Sequence, residues 1–463
     1  MHKDIHNNIK NKRIAIIGAG WSGLSCAYHL SKSKNINSNL SIDLFESSNL
    51  LGGRARGFEH KNYTLDNGQH ILVGAYTQSL NIICDIHSKI NQDKNNNLDD
   101  IFKLYDMQWH VKNVFSLKSE KILKHKIMQK FALGLNIKLL FNILASNIPL
   151  NFKLELIYII LKLKLVDYSF SKINQNNKYN QTIHTVADWY HHYKISNFLQ
   201  QHFFTPLCLS ALNTNIEDAC IERFLHALKL TIGSNDEFKA KLIVPNLDLT
   251  SLFSLPIANY LSNLDNFKLH MSSAIKNIQS INIDDDNSKW ILNNNSSNHY
   301  DIVIVATPYN ITQSLLNELL EHKLGIKNYL PNIEHMPITT IYVETKAKIN
   351  PEIPFLVYND DIIFQKDNNL WAIVCSAKYL SDDDVSLKLT DYILQFNSSF
   401  TLIKRICEKR ATFKCTPKHQ FISNNPCENL YVCGDYLHAK YPATLEAAVE
   451  SGVDVVNMII NLN

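Results

Sequence analysis

The stretch RIAIIGAGWSG at residues 13–23 decides the fold. It opens with an apolar run typical of a buried parallel strand, and the run LSCAYHL that follows is typical of a helix. Between the two runs, Gly18, Gly20 and Gly23 form a G-x-G-x-x-G pattern. Such glycines let the backbone approach a pyrophosphate at the positive N-terminus of the helix. The stretch therefore predicts a βαβ unit that binds a dinucleotide.

A second strand, SIDLF at residues 41–45, comes after the helix and ends at Glu46. A carboxylate at this position would accept hydrogen bonds from the ribose hydroxyls of an adenosine. Trp21 and Ser22 lie in the glycine turn, so we expect them in the same cofactor site. The alternative is an ordinary strand-turn-helix without a ligand, and the two strands, the helix and the acid together argue against it.

A second glycine turn, LGGRAR at residues 51–56, comes shortly after Glu46. Gly52 and Gly53 allow a tight turn, and Arg54 can make bidentate contacts with a phosphate. This combination suits the diphosphate of FAD, whereas a nicotinamide dehydrogenase has no evident need for it. The alternative is a surface turn with a solvated arginine.

The C-terminal part of the chain supplies a third piece, YVCGD at residues 431–435. It reads as a short strand ending in Gly434 and Asp435, and we expect Asp435 to bind the ribityl chain. Pro442 is predicted to open a helix at its first turn. The free N–H groups there, at Thr444 and Leu445, would face the pyrimidine end of the flavin.

Two other positions complete the predicted cofactor site. The run YDIVIVA at residues 300–306 reads as a buried parallel strand that ends at Ala306, on the ligand edge of the sheet. A short strand near Ile275 is expected beside the adenine.

Glycine is scarce, with 13 in 463 residues, yet eight of the 13 lie between Gly18 and Gly74. The two chain ends therefore look like one ligand site.

Composition excludes several classes of protein. Hydrophobic residues make up 45% and charged residues 19% of the chain, which argues against disorder, and a net charge of +3 argues against a nucleic-acid binder. The nine cysteines contain no C-x-x-C pair, so we predict no disulfide scaffold and no metal site, in a reducing cytoplasm. We see no targeting segment and no apolar run long enough for a transmembrane helix.

Parallel strands separated by long excursions predict two interleaved domains. We expect an α/β fold in which a Rossmann-like FAD-binding domain is interleaved with an α+β substrate-binding domain that has a helical subdomain. The FAD-binding domain is predicted from residues 11–110, 240–310 and 420–463. The substrate-binding domain is predicted from residues 111–239, expected to be helical, and from 311–419.

Four stretches carry a resemblance to a known family. They are GGRAR at 52–56, LDNGQHILVGAY at 65–76, PLCLSALNT at 206–214 and YPATLE at 441–446. Across essentially the whole chain the sequence resembles the superfamily of FAD-dependent amine oxidases and phytoene desaturases. Within it, the sequence is most similar to the hydroxysqualene dehydroxylases, also called squalene-associated FAD-dependent desaturases.

This resemblance implies the reductive removal of the hydroxyl from hydroxysqualene, giving squalene for hopanoid or related isoprenoid biosynthesis. The three-part glycine site and the absence of a clear attachment residue predict that FAD is held noncovalently. An upstream squalene-synthase-like enzyme is an expected partner. The family motif also implies a place for Gly68 and Gln69 in the cofactor site. Beside them, His70 and Asp66 would pass near the isoalloxazine, and His70 is a candidate catalytic acid near neutral pH. A structural histidine bonded to backbone is the alternative for His70.

The expected chemistry is ionisation of an allylic alcohol, followed by hydride delivery from N5 of the reduced flavin to the allylic cation. The rival is a phytoene-type desaturase, which transfers hydride in the opposite direction on a similar hydrocarbon. A non-enzymatic isoprenoid carrier of the Rab escort type is disfavoured by the intact glycine motifs. An amine oxidase would need an aromatic cage, which we cannot assign.

Two stretches allow alternative interpretations. Residues 113–170 are basic and apolar, so they form either a monotopic membrane surface, at the inner face of the cytoplasmic membrane, or two amphipathic helices with a solvated basic face. The lysines concerned are Lys118, Lys121, Lys124, Lys126, Lys130, Lys138, Lys153, Lys162 and Lys164. Residues 185–230 are rich in aromatics that either line an apolar tunnel or pack in the core, namely Trp189, Tyr190, Tyr193, Phe198, Phe203 and Phe204.

Overall fold

A computed structural model describes most of the chain. The described residues are 12–33, 40–90, 98–106, 108–112, 114–117, 143–144, 146–175, 183–234, 236–284, 287–323, 325–327, 329–419 and 422–461.

The strands, in chain order, are β1 (Arg13–Ile17), β2 (Ser41–Phe45), β3 (Gly57–His60), β4 (Tyr63–Asp66), β5 (Leu72–Val73), β6 (Phe102–Tyr105), β7 (Trp109–Val111), β8 (Phe115–Leu117), β9 (Leu242–Pro245), β10 (Phe267–His270), β11 (Ile278–Asp284), β12 (Asn287–Leu292), β13 (Ile302–Val305), β14 (His335–Thr345), β15 (Leu356–Tyr358), β16 (Asp361–Gln365), β17 (Leu370–Ser376), β18 (Phe400–Phe413) and β19 (Leu430–Val432).

The helices are α1 (Trp21–Lys32), α2 (Thr77–Ile90), α3 (Leu150–Leu165), α4 (Phe170–Gln175), α5 (Val186–Tyr193), α6 (Asn197–Leu199), α7 (Thr205–Leu212), α8 (Ile221–Leu230), α9 (Leu255–Ser262), α10 (Tyr309–Asn317), α11 (Asp382–Phe396) and α12 (Leu445–Asn461). π-Helical turns at Gln200–Phe204, Thr250–Ser254 and Glu318–Lys323 adjoin α7, α9 and α10.

A parallel five-stranded sheet in the order β10-β2-β1-β13-β19 carries the glycine motifs. Its central strand β1 is buried because the apolar side chains of Ile14 and Ile16 pack on one face and those of Ala15 and Ile17 on the other. Helix α1 packs against α12 on one side of the sheet. This confirms the predicted Rossmann-like unit and its α/β class.

The second large sheet has seven strands in the order β18-β14-β17-β16-β15-β7-β8. Its pairs are antiparallel except β7 with β15, where Val111 is the partner of Val357. A smaller sheet, β5-β9-β6, and the hairpins β3-β4 and β11-β12 complete the strands. The large sheet collects strands from residues 109–117 and 335–413, so it brings distant parts of the sequence to one wall of the molecule.

Three sequence expectations are wrong in detail. Residues 111–239 are not helical from their start, because β7 and β8 form a hairpin that extends the seven-stranded sheet. Ile275 lies in the loop that follows β10, not in a strand. Pro442 does not open α12, which begins three residues later at Leu445. The first turn is capped by Thr444, whose Oγ1 accepts a hydrogen bond from the N–H of Ala447.

Of the basic and apolar stretch at 113–170, residues 118–142 lie outside the described residues. Their lysines, including Lys121, Lys124, Lys126 and Lys130, therefore have no structural description. Among the helices that the structure describes, none is long and apolar enough to cross a membrane.

Candidate active site

One cavity of about 900 Å³ contains nearly all of the predicted site residues. It is lined by Gly18, Gly20, Trp21, Ser22, Glu46, Gly52, Gly53, Arg54, Gly68, Gln69, His70, Ile275, Ala306, Gly434, Asp435, Thr444 and Leu445. Gly23 is the predicted residue that does not line it. The structure thus brings together motifs that are up to about four hundred residues apart in the sequence.

The two ends of the glycine motif play different parts. A Cβ on Gly23 would lie 2.0 Å from the carbonyl oxygen of Gly18, so this glycine lets α1 pack closely on β1. Gly20 lines the cavity, and a Cβ there would meet nothing within 4 Å. Gly18 has a φ of 107°, which disfavours any larger residue. The open space at Gly20 is where the helix N-terminus could receive a phosphate.

Glu46 faces the cavity but also holds the glycine loop. Its carboxylate accepts hydrogen bonds from the backbone N–H of Ala19 at 2.9 Å and of Ser48 at 2.8 Å. The residue is buried, and it lies at the end of β2 beside the glycine turn. Glu46 therefore stabilises the glycine turn at Ala19, and its expected contact with the adenosine ribose stays a prediction.

Arg54 and Asp435 form an ion pair inside the site. The Arg54 guanidinium also donates a hydrogen bond to the carbonyl oxygen of Ala411, 2.8 Å away, on β18 of the second sheet. This guanidinium is therefore bound to protein groups at one end, rather than being solvated as the surface-turn interpretation required.

Trp21 stacks on Phe253 with ring centroids 3.9 Å apart, and its indole N–H donates to the carbonyl of Ala55, so it packs the second glycine turn against the first helix.

The start of α12 is held in place by Glu446, which sequence reasoning left without a role. Its fully buried carboxylate accepts hydrogen bonds from the backbone N–H groups of Gln78 (2.8 Å) and Ser79 (2.9 Å) at the start of α2. Burial raises the pKa of Glu446. Thr444 Oγ1 accepts from the N–H of Ala447 at 3.1 Å. These bonds orient the first turn of α12 toward the cavity, where Thr444 and Leu445 line it.

The segment that carries Gln69 and His70 is anchored at its start by Asp66. The buried carboxylate of Asp66 accepts from the N–H of Leu249 and from Lys366 Nζ, each at 2.8 Å. Its backbone carbonyl accepts from Tyr342 Oη at 2.9 Å. Through these bonds, the segment connects the part of the molecule that carries the glycine motifs with the seven-stranded sheet.

His70 lines the cavity, but its ring is hydrogen-bonded to the backbone of Gly68. Its Nδ1 lies 2.6 Å from the carbonyl oxygen of Gly68, so Nδ1 carries the proton and donates it. Burial lowers the pKa of His70, while Asp66 and the Gly68 carbonyl raise it in part. The net direction favours a neutral imidazole, which fits the structural alternative, and a role as catalytic acid stays a prediction.

Gln69 presents an unused acceptor. Among the described residues nothing donates a hydrogen bond to its buried Oε1, and its amide nitrogen makes only a long contact of 3.4 Å with the His70 carbonyl. A buried polar atom without a partner costs free energy, so such an atom in a cavity is typical of a ligand contact.

Apolar side chains form the rest of the cavity wall. Sequence reasoning identified only Phe203 among them, whereas Trp189, Tyr190 and Phe204 pack in the core. The residues it missed come mainly from the seven-stranded sheet and α7, namely Trp109, Leu207, Ile338, Phe355, Ile362, Phe364 and Val374. Most of them lie in or next to ordinary alternating strand sequence, and Leu207 lies in an apolar helix, so no local signal distinguishes them from core residues.

The residues present fit FAD. Gly20 leaves open space at the N-terminus of α1, Gly53 contributes a second backbone approach beside it, and the first turn of α12 faces the same cavity. These groups could hold the pyrophosphate and the flavin ring. The apolar half of the cavity remains for a second molecule.

Comparison with known proteins supports this description. Residues 16–85 match the family described as NAD(P)-binding Rossmann-like domain. A 15-cis-phytoene desaturase of Glycine max is 21% identical over 96% of this chain and 78% of its own length. A hydroxysqualene dehydroxylase of Sinorhizobium fredii is 42% identical, over 13% of this chain and 14% of its own length. The structure of cyclohexylamine oxidase from Brevibacterium oxydans superposes with a TM-score of 0.62 at 12% identity, over 97% of this chain and 99% of that one.

The fold, the site and these matches together support an oxidoreductase of the FAD-dependent class. The matches support the superfamily of FAD-dependent amine oxidases and phytoene desaturases, as the sequence motifs predicted.

Acid should destabilise the protein through His419, a half-buried histidine that is neutral in the folded chain. Burial and, to a smaller extent, the nearby Arg223 lower the pKa of His419 to about 4, while its Nε2–H donates to the Tyr436 carbonyl. Between pH 6.5 and 4 the unfolded chain then binds more protons than the folded chain, so the free energy of unfolding falls as pH falls. Above pH 6.5 this contribution is fully present.

The measurement is the melting temperature of wild type and His419→Gln from pH 7.5 to pH 5. Glutamine keeps an N–H donor but does not titrate, so the variant should lose less stability on acidification. Two parallel curves would contradict the assignment.

Proposed function

We propose that this protein removes the hydroxyl group of hydroxysqualene reductively, using noncovalently bound FAD, and releases squalene. The observation that carries the proposal is one cavity that combines a glycine-lined half with an apolar wall. A flavin and a long hydrocarbon chain could lie in contact there. The local match to a hydroxysqualene dehydroxylase supports the choice of substrate.

FAD in its reduced form would supply a hydride to the substrate carbon. In the net reaction the C–O bond breaks, the oxygen takes up a proton and leaves as water, and a C–H bond replaces it at the same carbon. The apolar side chains of Trp109, Phe203 and Phe364 bind the chain and exclude water from the cation formed when the C–O bond breaks. The unused Gln69 Oε1 accepts the hydrogen bond of the substrate hydroxyl and so positions the reacting carbon.

A phytoene-type desaturase is the second candidate. The observation that favours it is the length of the match, because the phytoene desaturase of Glycine max aligns over 96% of this chain. A hydrocarbon substrate would leave the Gln69 acceptor without a partner, and this favours a hydroxylated substrate.

The test is anaerobic turnover of the protein reduced by a deuterated donor, with hydroxysqualene and phytoene offered in separate reactions. We expect squalene with one deuterium at the carbon that bore the hydroxyl, and unchanged phytoene. Oxidised enzyme that dehydrogenates phytoene, with hydroxysqualene recovered intact, would establish the desaturase instead. Acid precipitation should release the FAD.

Two variants separate the roles of the polar residues in the same assay. Gln69→Leu should weaken hydroxysqualene binding by about tenfold, the effect of roughly 1.4 kcal/mol. If His70 is the acid, His70→Ala should lower turnover by about 10²–10⁴-fold with FAD still bound. A small effect would leave His70 with its structural role.

A further inference from the structure

Helix α3 exposes an apolar face. Leu150, Leu154, Tyr158 and Leu165 are 65%, 56%, 53% and 80% exposed. Their spacing of four, four and seven residues places them on one side of the helix. The opposite side is buried through Leu156, Ile159, Ile160 and Leu163. The outward face of α3 therefore carries exposed apolar side chains together with the exposed Lys162.

Helix α3 carries three lysines, Lys153, Lys162 and Lys164, against one acid. Lys162 lies among the exposed apolar residues, with its Nζ 5.5 Å from the centre of the Tyr158 ring. Glu155 is the one acid within Leu150–Leu165, and its carboxylate accepts a hydrogen bond from the N–H of Ser196 at 2.6 Å. Residues 118–142, which lie outside the described residues, contain six lysines and one glutamate in the sequence.

Both ends of α3 connect to the wall of the cavity. Near its start, Phe152 stacks on Phe198 of α6, with ring centroids 4.2 Å apart, and the chain continues from α6 to the cavity residue Phe203. After its end, Asp167 pairs with Lys229, and the Tyr168 ring packs against Gly233.

The segment between Lys229 and Gly233 contributes Leu230, Thr231 and Ile232 to the cavity lining. The exposed face of α3 therefore belongs to the same helical layer that walls the apolar half of the cavity.

We propose that the exposed face of α3 docks on the surface of an anionic lipid bilayer, with its leucines among the headgroups and its lysines on the lipid charges. The apolar face has the exposed Lys162 among its residues, while the two acids beside it are paired, Glu155 with the N–H of Ser196 and Asp167 with Lys229. This combination complements an anionic interface. This places the α8 side of the cavity next to the lipid. The inference goes beyond the proposed reaction and does not depend on which isoprenoid is bound.

The test is co-sedimentation of the FAD-bound protein with vesicles of phosphatidylcholine, with and without phosphatidylglycerol. Wild type should bind the anionic vesicles, and binding should fall with added salt. Leu154→Ser with Leu165→Ser should weaken the binding by at least about tenfold, because each buried leucine contributes strongly to partitioning.

The chain offers a matched control on α11. Leu387 and Leu394 are 72% and 74% exposed, but their helix begins with Asp382, Asp383 and Asp384. Leu387→Ser with Leu394→Ser should bind vesicles like wild type. Flavin absorbance and circular dichroism verify that both double variants are folded.

Three outcomes would overturn the proposal. They are unchanged vesicle binding in the α3 variant, equal loss in the α11 variant, and a wild-type dimer that the α3 variant splits into monomers in gel filtration. The last result would show that a second copy of the chain covers the face. Turnover of detergent-dispersed hydroxysqualene should be the same in all folded variants, so failure here is distinct from failure of the proposed function.

Discussion

Replacing Gly23 with alanine should destroy the cofactor site by unfolding the glycine motif. The added Cβ would lie 2.0 Å from the carbonyl oxygen of Gly18 and 3.1 Å from the Cβ of Ala306. Both neighbours belong to, or directly follow, central strands of the five-stranded sheet, so α1 would have to move away from it. We expect a loss of about 3 kcal/mol in the free energy of unfolding, at the upper end for overpacking in a core.

Gly20→Ala is the matched control, because its Cβ would enter open space in the cavity. This variant should melt near the wild-type temperature as apoprotein but bind FAD more weakly, since the methyl group occupies the approach to the phosphate. Thermal unfolding without FAD and flavin titration separate the two effects. If both variants melted alike, the close packing of Gly23 would not matter to the fold.

Replacing Asp66 with alanine should be similarly severe. The carboxylate is 3% exposed, and its partner Lys366 is 18% exposed. Its removal leaves a largely buried ammonium group and the N–H of Leu249 without their acceptor. Breaking such a buried pair from one side costs about 3–5 kcal/mol. The segment that carries Gln69 and His70 should loosen with it.

The double variant Asp66→Ala with Lys366→Met tests the cause. Removing the lysine as well abolishes the unpaired charge, so the double variant should recover part of the stability that Asp66→Ala loses. Chemical denaturation of wild type, of the single variants Asp66→Ala and Lys366→Met, and of the double variant gives the coupling energy. A double variant that is less stable than Asp66→Ala would show that the lost backbone bond, not the charge, dominates.

The cofactor half of the site follows from the sequence because its signals are local. Strand β1, the glycines and Glu46 lie within 34 residues of one another, and the apolar run at 300–306 has the composition of a buried parallel strand. The matching strands β1, β2, β13 and β19 are all present in the sheet. The sequence predicts the start of α12 at Pro442, three residues too early, because proline is only preferred, not required, at the first turn of a helix. In the structure, hydrogen bonds to Thr444 and Glu446 fix the start at Leu445.

The apolar half could not be predicted in the same way. Trp109 belongs to a wall only because β7 pairs with β15, some 246 residues later, and no local pattern encodes that pairing. The partnership of Arg54 with Asp435 is equally remote, at a separation of 381 residues. The sequence motifs predict that Arg54 and Asp435 each contact the cofactor, but they do not predict that the two side chains form an ion pair.

The strands of the five-stranded sheet are far apart in the sequence, and this has a consequence for the synthesis of the chain. Gly20 leaves the ribosome long before Gly434, and at about 5–20 residues per second the interval is roughly 20–80 s. For most of that time β1 and β2 lack β13, and almost until its end they lack β19, which completes the sheet. A nascent chain therefore carries a dinucleotide motif without the rest of its binding site. Flavin capture must be a late event in the life of each molecule, after most of the polypeptide has been translated.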